Sequence, residues 1–239
     1  MSHNLQFSFD NEFKKLGIVE IAFATIRGLN NQVSLPTYYD ALIEDAERRA
    51  LEMSEECLAT SPVLLGYRDL IQHVKRSMKK FPPSARSLID IVKRRASFPR
   101  INPVVDLYNV SALDSFLSLG VHDLNKLHGT ISFRISKGGE IFFPIGGGEK
   151  ITAQGDYLYA DENNILAWLD ARDSELVKVE SQTRDLIIII QGNLNTSLDS
   201  RLRVLSVVCR RIIDSCGGQS SISYVSVQSG LTTMLNSPG

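Results

Sequence analysis

The sequence predicts an α+β fold, with mixed β-sheets, packed helices and a helical N-terminal portion. Three observations lead there. Apolar residues recur at spacings of three and four in several stretches, the pattern of amphipathic helices. Short apolar runs rich in β-branched and aromatic residues follow one another closely between residues 130 and 190, and read as strands. Helices and strands do not alternate strictly, so the class is α+β. The 239 residues allow one large domain or two small ones. With 43% hydrophobic and 22% charged residues the chain is of ordinary globular composition, which excludes disordered, collagen-like and coiled-coil classes.

Taken in order, residues 17–27 alternate Val19, Ile21 and Phe23 against Glu20 and Ala22, which predicts a half-buried strand. Gly28 to Pro36 is a loop. Leu42, Ala46, Ala50, Met53 and Cys57 form one helical stripe. A second helix is expected over Ser61 to Met78, stopped by Phe81-Pro82-Pro83. Ser84 is the expected N-cap of a third, carrying Leu88, Ile91 and Val92. Pro103 starts a helix within Asn102 to Leu117. Strands are expected at Thr130–Ser136, Ile141–Ile145, Tyr157–Ala160 and Ile165–Trp168. Leu186–Ile190 reads as a central strand buried on both faces. Thr196 or Ser197 caps a last helix with Leu198, Leu202, Leu205, Cys209 and Ile212 on one side, and Ile222–Val227 is a final strand. Residues 1–98 form an N-terminal strand and basic helices within one compact unit. Residues 99–228 form a core with the C-terminal helix and strand.

The longest purely aliphatic run, Leu186 to Ile190, falls far short of the ~20 residues that span a bilayer. The N-terminus lacks a basic stretch followed by an apolar one, so no signal peptide and a cytoplasmic location are expected. Cys57, Cys209 and Cys216 lack the spacing of a zinc site and are expected as buried free thiols. His3, His73, His122 and His128 are scattered. Neither a metal nor a cofactor is expected.

The formal net charge of −1 conceals a local excess. Ten basic residues lie between positions 68 and 100, among them Lys75, Arg76, Lys79, Lys80, Lys93, Arg94 and Arg95, against Asp69 and Asp90 alone. Such a block is an electrostatic footprint for a polyanion, or a solvated face whose acids come from elsewhere in the fold.

The familiar catalytic signatures are missing: no nucleophile elbow, phosphate loop, dinucleotide fingerprint or zinc-protease helix occurs. What remains is polar residues in apolar surroundings. Asp106 and Asn109 lie within Asn102-Pro-Val-Val-Asp-Leu-Tyr-Asn109, where they either tie a helix to neighbouring loops or line a pocket. His122-Asp123 is read as a loop pair able to polarise a substrate. Arg172-Asp173-Ser174-Glu175 is a solvated turn or a carboxylate that holds an ammonium group.

Several short pieces, in order, resemble one family. They are Pro99-Arg-Ile-Asn-Pro-Val-Val-Asp-Leu-Tyr-Asn109, Asp123-Leu-Asn-Lys-Leu127, Gly138-Gly-Glu140 before Pro144-Ile-Gly146, Tyr159-Ala-Asp161, and Thr183 leading into the apolar strand. The stretch is similar to the editing domain of the bacterial phenylalanyl-tRNA synthetase β subunit. Upstream, Pro83-Ser84-Ala-Arg-Ser-Leu88 and Phe98-Pro99-Arg100 resemble stand-alone relatives of that domain.

The resemblance implies a trans-acting deacylase that hydrolyses the ester of a mischarged tRNA. The alternative is a non-catalytic tRNA- or amino-acid-binding module. On this reading the acceptor stem meets the basic block. Turns such as Gly138-Gly139 or Gly146–Gly148 supply N–H groups to the oxyanion. Asp173 or Glu140 takes the ammonium group, and His122 or the tRNA's own terminal hydroxyl orients the water. The implied catalytic set is His122, Asp123 and Asp173. The implied substrate contacts are Asn102, Asp106, Asn109, Gly139, Glu140, Arg172 and Thr183. The loop before Asp123 is shorter than the synthetase's, and Asp173 stands where the synthetase has a Glu in a Gly-rich stretch. Tyrosine specificity therefore does not carry over, and a polar or cationic side chain, an arginine analogue among them, is equally compatible.

Overall fold

The computed structural model describes residues 5–230 and 232–234. The first four residues, His3 and the start of the leader reading among them, lie outside the described residues.

The first sheet holds β1 (Phe7–Phe9), β4 (Ile131–Lys137), β7 (Gln154–Ala160), β8 (Ile165–Trp168) and β9 (Arg172–Asp173), in that order. Only the β1–β4 pairing is parallel. The second sheet is antiparallel, in the order β12 (Thr232–Met234), β11 (Gln219–Ser226), β2 (Glu20–Arg27), β10 (Leu186–Ile190), β3 (Gly120–Asp123). A small hairpin pairs β5 (Ile141–Phe142) with β6 (Lys150–Ile151). The helices are α1 (Asn11–Lys14), α2 (Thr37–Glu52), α3 (Glu55–Thr60), α4 (Pro62–His73), α5 (Ser84–Arg95), α6 (Pro103–Ser115) and α7 (Leu198–Cys216).

The strand period of two explains the layers. In β10, Ile187 and Ile189 join a core with Phe133, Tyr159 and Leu166 of the first sheet. Leu186, Ile188 and Ile190 point the other way, into a core with Val104 and Leu107 of α6 and Leu205, Val208 and Ile212 of α7. Strand β2 divides in the same way, Ile21 and Phe23 against Ala22, Ala24 and Ile26. The second sheet is thus sandwiched between the first sheet and the α6–α7 helices. A third core, with Ile43, Ala46, Leu88, Ile89, Val92 and Val110, joins α2, α5 and α6.

Several expectations change. Strand β2 is buried on both faces, because residues 186–190 and 219–226 flank it and a layer covers each side. Val19 precedes it and is exposed. The stripe through Cys57 is two helices: the chain breaks at Met53, and Ser54 caps α3 by accepting from the Cys57 amide. Cys57 is therefore exposed, whereas Cys209 and Cys216 are buried free thiols. Ser84 is not the N-cap of α5; Pro83 holds that position and makes no side-chain cap. The α6 start, the Ser197 cap, β8 and β10 stand where expected. Strand β3 was not anticipated and contains His122 and Asp123.

Candidate functional site

The candidate site lies where β10 ends. The first residues of α5 and β3 and the β8–β9 turn converge there. The narrow cleft between them is lined by Ser84, Gly120, Tyr159, Asp170, Asp173 and Gln191, with further residues just before β3 and on β8 and β10. Its free volume of ≈ 10 Å³ admits about one water-sized group.

The turn that carries Asp170 is strained. Leu169 and Asp170 have φ of 58° and 50°, and the Ala171 N–H donates to the Trp168 carbonyl at 3.1 Å. Positive φ at both central residues is type I′ geometry, normally filled by Asn and Gly. Asp tolerates it; Leu pays about 1–2 kcal/mol. Leu169 is buried, the Leu169 N–H bonds the Tyr157 carbonyl, and the Ser84 N–H bonds the Asp170 carbonyl at 2.9 Å, so the surroundings hold the turn in place. The Gln191 amide donates to Asp170 Oδ2 at 2.9 Å. Buried Arg201 anchors the Gln191 carbonyl at 2.8 Å.

Burial pushes the carboxyl of Asp170 up to about 7. Burial also pushes Asp173 up to about 7; the Val121 amide opposes this and the Asp170 charge adds to it. Both folded values exceed the ordinary 3.8, so the folded chain binds more protons than the unfolded chain between about pH 4 and 7. Their contribution to stability therefore falls as the pH rises through that window. We expect Asp170→Asn to be more stable than the parent at pH 8, with the difference shrinking by pH 4. Urea unfolding at the two pH values checks this; a variant less stable at both contradicts it.

Tyr159 lines the cleft, and His122 lies behind it. His122 Nε2 lies 2.8 Å from the Tyr159 hydroxyl, and its Nδ1 is buried without a partner. Burial holds the imidazole neutral, with its pKa lowered to about 3. Gly120 makes room for the pair, since a Cβ there would sit 1.9 Å from the hydroxyl. Gly120→Ala is expected to cost about 1–3 kcal/mol of unfolding free energy and to displace Tyr159; equilibrium denaturation measures the first and tyrosine side-chain NMR the second.

The other expected site residues disperse. Asp123 is no partner of His122. The two lie on a strand, not a loop, and point to opposite faces. Asp123 accepts from Thr183 Oγ1 at 2.6 Å and from the Asn125 amide, so both Asp123 and Thr183 tie loops together. Asn102 caps α6 through the Val105 amide and bonds Asn31. Asp106 accepts from Arg100 and from the Ile101 amide. Asn109 is half-buried on α6 and is not among the residues lining the cleft. Glu140 pairs with both terminal nitrogens of Arg134 and with Ser136, beside a different pocket of ≈ 350 Å³. The Gly138 and Gly139 amides are spent on Ser136 Oγ and the Thr152 carbonyl, so this turn offers no oxyanion donors. Arg172 is exposed. Of the expected set only His122 and Asp173 reach this corner. Asp170, Tyr159, Gly120 and Gln191 were missed.

The basic block also divides. Arg76 grips buried Asp156 through two nitrogens, at 2.5 and 2.8 Å. Lys93 bonds the Met53 carbonyl and Glu55, Arg86 pairs with Glu55 and Asp90, and Arg100 with Asp40 and Asp106. Arg76 and Lys93 are thus structural rather than free cations. Lys75, Lys79, Lys80, Arg94 and Arg95 remain exposed. The loop bearing Lys79 and Lys80 is fastened near the cleft: Phe81 meets Trp168 edge-on at 5.0 Å, and Ser84 bonds Asp170. Arg94 and Arg95 lie at the far end of α5, about 15 Å along its axis.

Among the described residues, no group of three or more His, Cys, Asp or Glu is placed to hold a metal ion, and no helix is long and apolar enough to cross a membrane.

Comparison with known proteins agrees with this architecture. A phenylalanine–tRNA ligase beta subunit from Haemophilus ducreyi is 28% identical over 95 residues, which is 40% of this chain and only 12% of that relative. An N-terminal fragment of the phenylalanyl-tRNA synthetase beta subunit from Pyrococcus horikoshii superposes with a TM-score of 0.51 over 98% of this chain and 55% of that one. At 15% identity this is a likeness of fold. The B3/4 domain family matches residues 66–207, well over half of the sequence, and the chain belongs to that family.

Proposed function

We propose that this chain is a stand-alone aminoacyl-tRNA deacylase that hydrolyses the ester of a mischarged tRNA at the Asp170–Asp173 cleft. The observation that carries the reading is a water-sized space lined by two aspartates, their carboxyls pushed up to about 7 by burial, in a B3/4 chain similar to synthetase β subunits. A general base works best with a pKa near the working pH. A clamp for an ammonium group would instead need a carboxylate ionised throughout. We therefore assign Asp173 to the attacking water rather than to the ammonium group. The water oxygen bonds to the ester carbonyl carbon while Asp173 takes its proton. The bond from that carbon to the ribose oxygen then breaks, and the proton passes to the ribose oxygen. Amino acid and uncharged tRNA leave. Asp170, held by Gln191, shares the water and keeps Asp173 from ionising too early.

The exposed lysines beside the cleft suit the phosphates of an RNA end. Alanine at Lys79 and Lys80 is expected to weaken tRNA binding and to flatten the slope of log affinity against log salt by about 1.4–1.8. An unchanged slope would leave these lysines as a solvated face. A non-catalytic tRNA- or amino-acid-binding module is the second reading, and the narrowness of the cleft is what favours it. A deacylation panel decides between them: correct and incorrect aminoacyl-tRNAs, with ester loss followed against buffer. Selective release supports the deacylase; binding without release supports the module.

A further inference from the structure

Tyr159 and His122 share one hydrogen bond, and either atom can be its donor. If the hydroxyl donates to Nε2, the ring carries its proton on Nδ1. If Nε2–H donates to the hydroxyl oxygen, the phenol proton is released to point elsewhere. Nδ1 has no partner in either arrangement, so His122 alone does not choose. The surroundings do. Tyr159 lines the cleft together with Asp170 and Asp173, and the charges of both aspartates act on its hydroxyl. Carboxylates attract a phenol proton and repel a phenol lone pair. Burial keeps the phenol and the imidazole neutral, so the phenol retains its proton. Gly120, which lacks a Cβ, lets the hydroxyl sit where any side chain would clash with it.

We infer that His122 carries its proton on Nε2 and thereby aims the Tyr159 hydroxyl into the cleft, where it donates to the oxygen of the attacking water. Tyr159 then touches a reacting atom and is a catalytic residue, and His122 is the residue that positions it. The assignment rests on the deacylase reading. The water is held on three sides: its hydrogens face Asp170 and Asp173, one lone pair accepts from Tyr159, and the other faces the ester carbon.

Two measurements test this. Two-bond 1H–15N correlation spectra of the full chain should show His122 protonated at Nε2 and bare at Nδ1. A proton on Nδ1 would mean that the hydroxyl is spent on the ring, and would overturn the inference whatever the activity. Tyr159→Phe keeps the ring and removes the donor. On the best substrate of the panel its kcat should fall about 10- to 100-fold with KM within about twofold. A merely structural role would instead lower the unfolding midpoint and leave kcat intact in the folded fraction. Parent activity with an undiminished Tyr159→Phe kcat overturns the inference alone. A parent inactive on every charged tRNA overturns the deacylase reading and the water's role with it.

Discussion

Asp173→Asn is expected to lower kcat/KM for deacylation by about 10²–10⁴, the usual range for removing a general base. The amide preserves shape and hydrogen bonding but accepts no proton from water. Because burial pushes the Asp173 carboxyl up to about 7, the parent profile has a definite sign. The base acts only when ionised, so kcat/KM should rise about tenfold per pH unit below 7 and level off above it. The pair titrates together, so the midpoint belongs to Asp170 and Asp173 jointly. Asp173→Asn should flatten the profile as well as lower it. Rates are read after subtracting spontaneous ester loss in buffer, which rises with pH. A variant with parent rates, or a parent profile without an inflection between about pH 6 and 8, would contradict the base assignment.

The second large effect concerns stability and separates two meanings of the basic block. Arg76→Ala is expected to destabilise the fold by about 3–5 kcal/mol, since it leaves the buried carboxylate of Asp156 without its cation. The Trp168 indole N–H and the Ala153 amide also donate to Asp156, but neither supplies charge. Arg76 further lies over the Phe81 ring, at 5.3 Å, and so supports the loop bearing Lys79 and Lys80. Urea denaturation measures the loss. A change below about 1 kcal/mol would show that Arg76 is an ordinary surface cation, and would return it to the set available for RNA. Lys79 and Lys80 substitutions should leave stability within about 0.5 kcal/mol, so their effect on tRNA binding is read without this complication.

Elements were legible where one local pattern dominated. Leu186–Ile190 is apolar at every position because a layer covers each face, and it reads as a buried strand on sight. Pro103 after a capping Asn102, and Ser197 before Leu198, mark helix starts through the backbone groups they satisfy. Residues 42–57 misled because the apolar spacing continues across the break that Ser54 makes. Strand β3 is four residues long and polar in half of them, too short to show a period.

The site was harder to read for a different reason. Asp123, Thr183, Asn102 and Asp106 lie in stretches that resemble a family's motifs, but here they satisfy backbone groups and each other. Asp170 and Tyr159 gain their roles from partners far along the chain: Gln191, just after β10, and His122 on β3. No spacing rule links them. One local clue did exist. Trp168-Leu169-Asp170-Ala171 joins two strands by a turn without Gly or Asn, and strain of that kind gathers at functional sites. The basic block was visible as charge, but its division into paired and free cations depended on Asp156 and Glu55, which only the fold brings near.

The most direct test of the account is a comparison of the parent chain and Asp173→Asn on one panel of correctly and incorrectly charged tRNAs at pH 7.5. The account predicts rapid ester loss from a mischarged species with the parent, the correctly charged counterpart spared, and a rate near buffer alone with Asp173→Asn despite unchanged tRNA binding. Equal release by both proteins would contradict it.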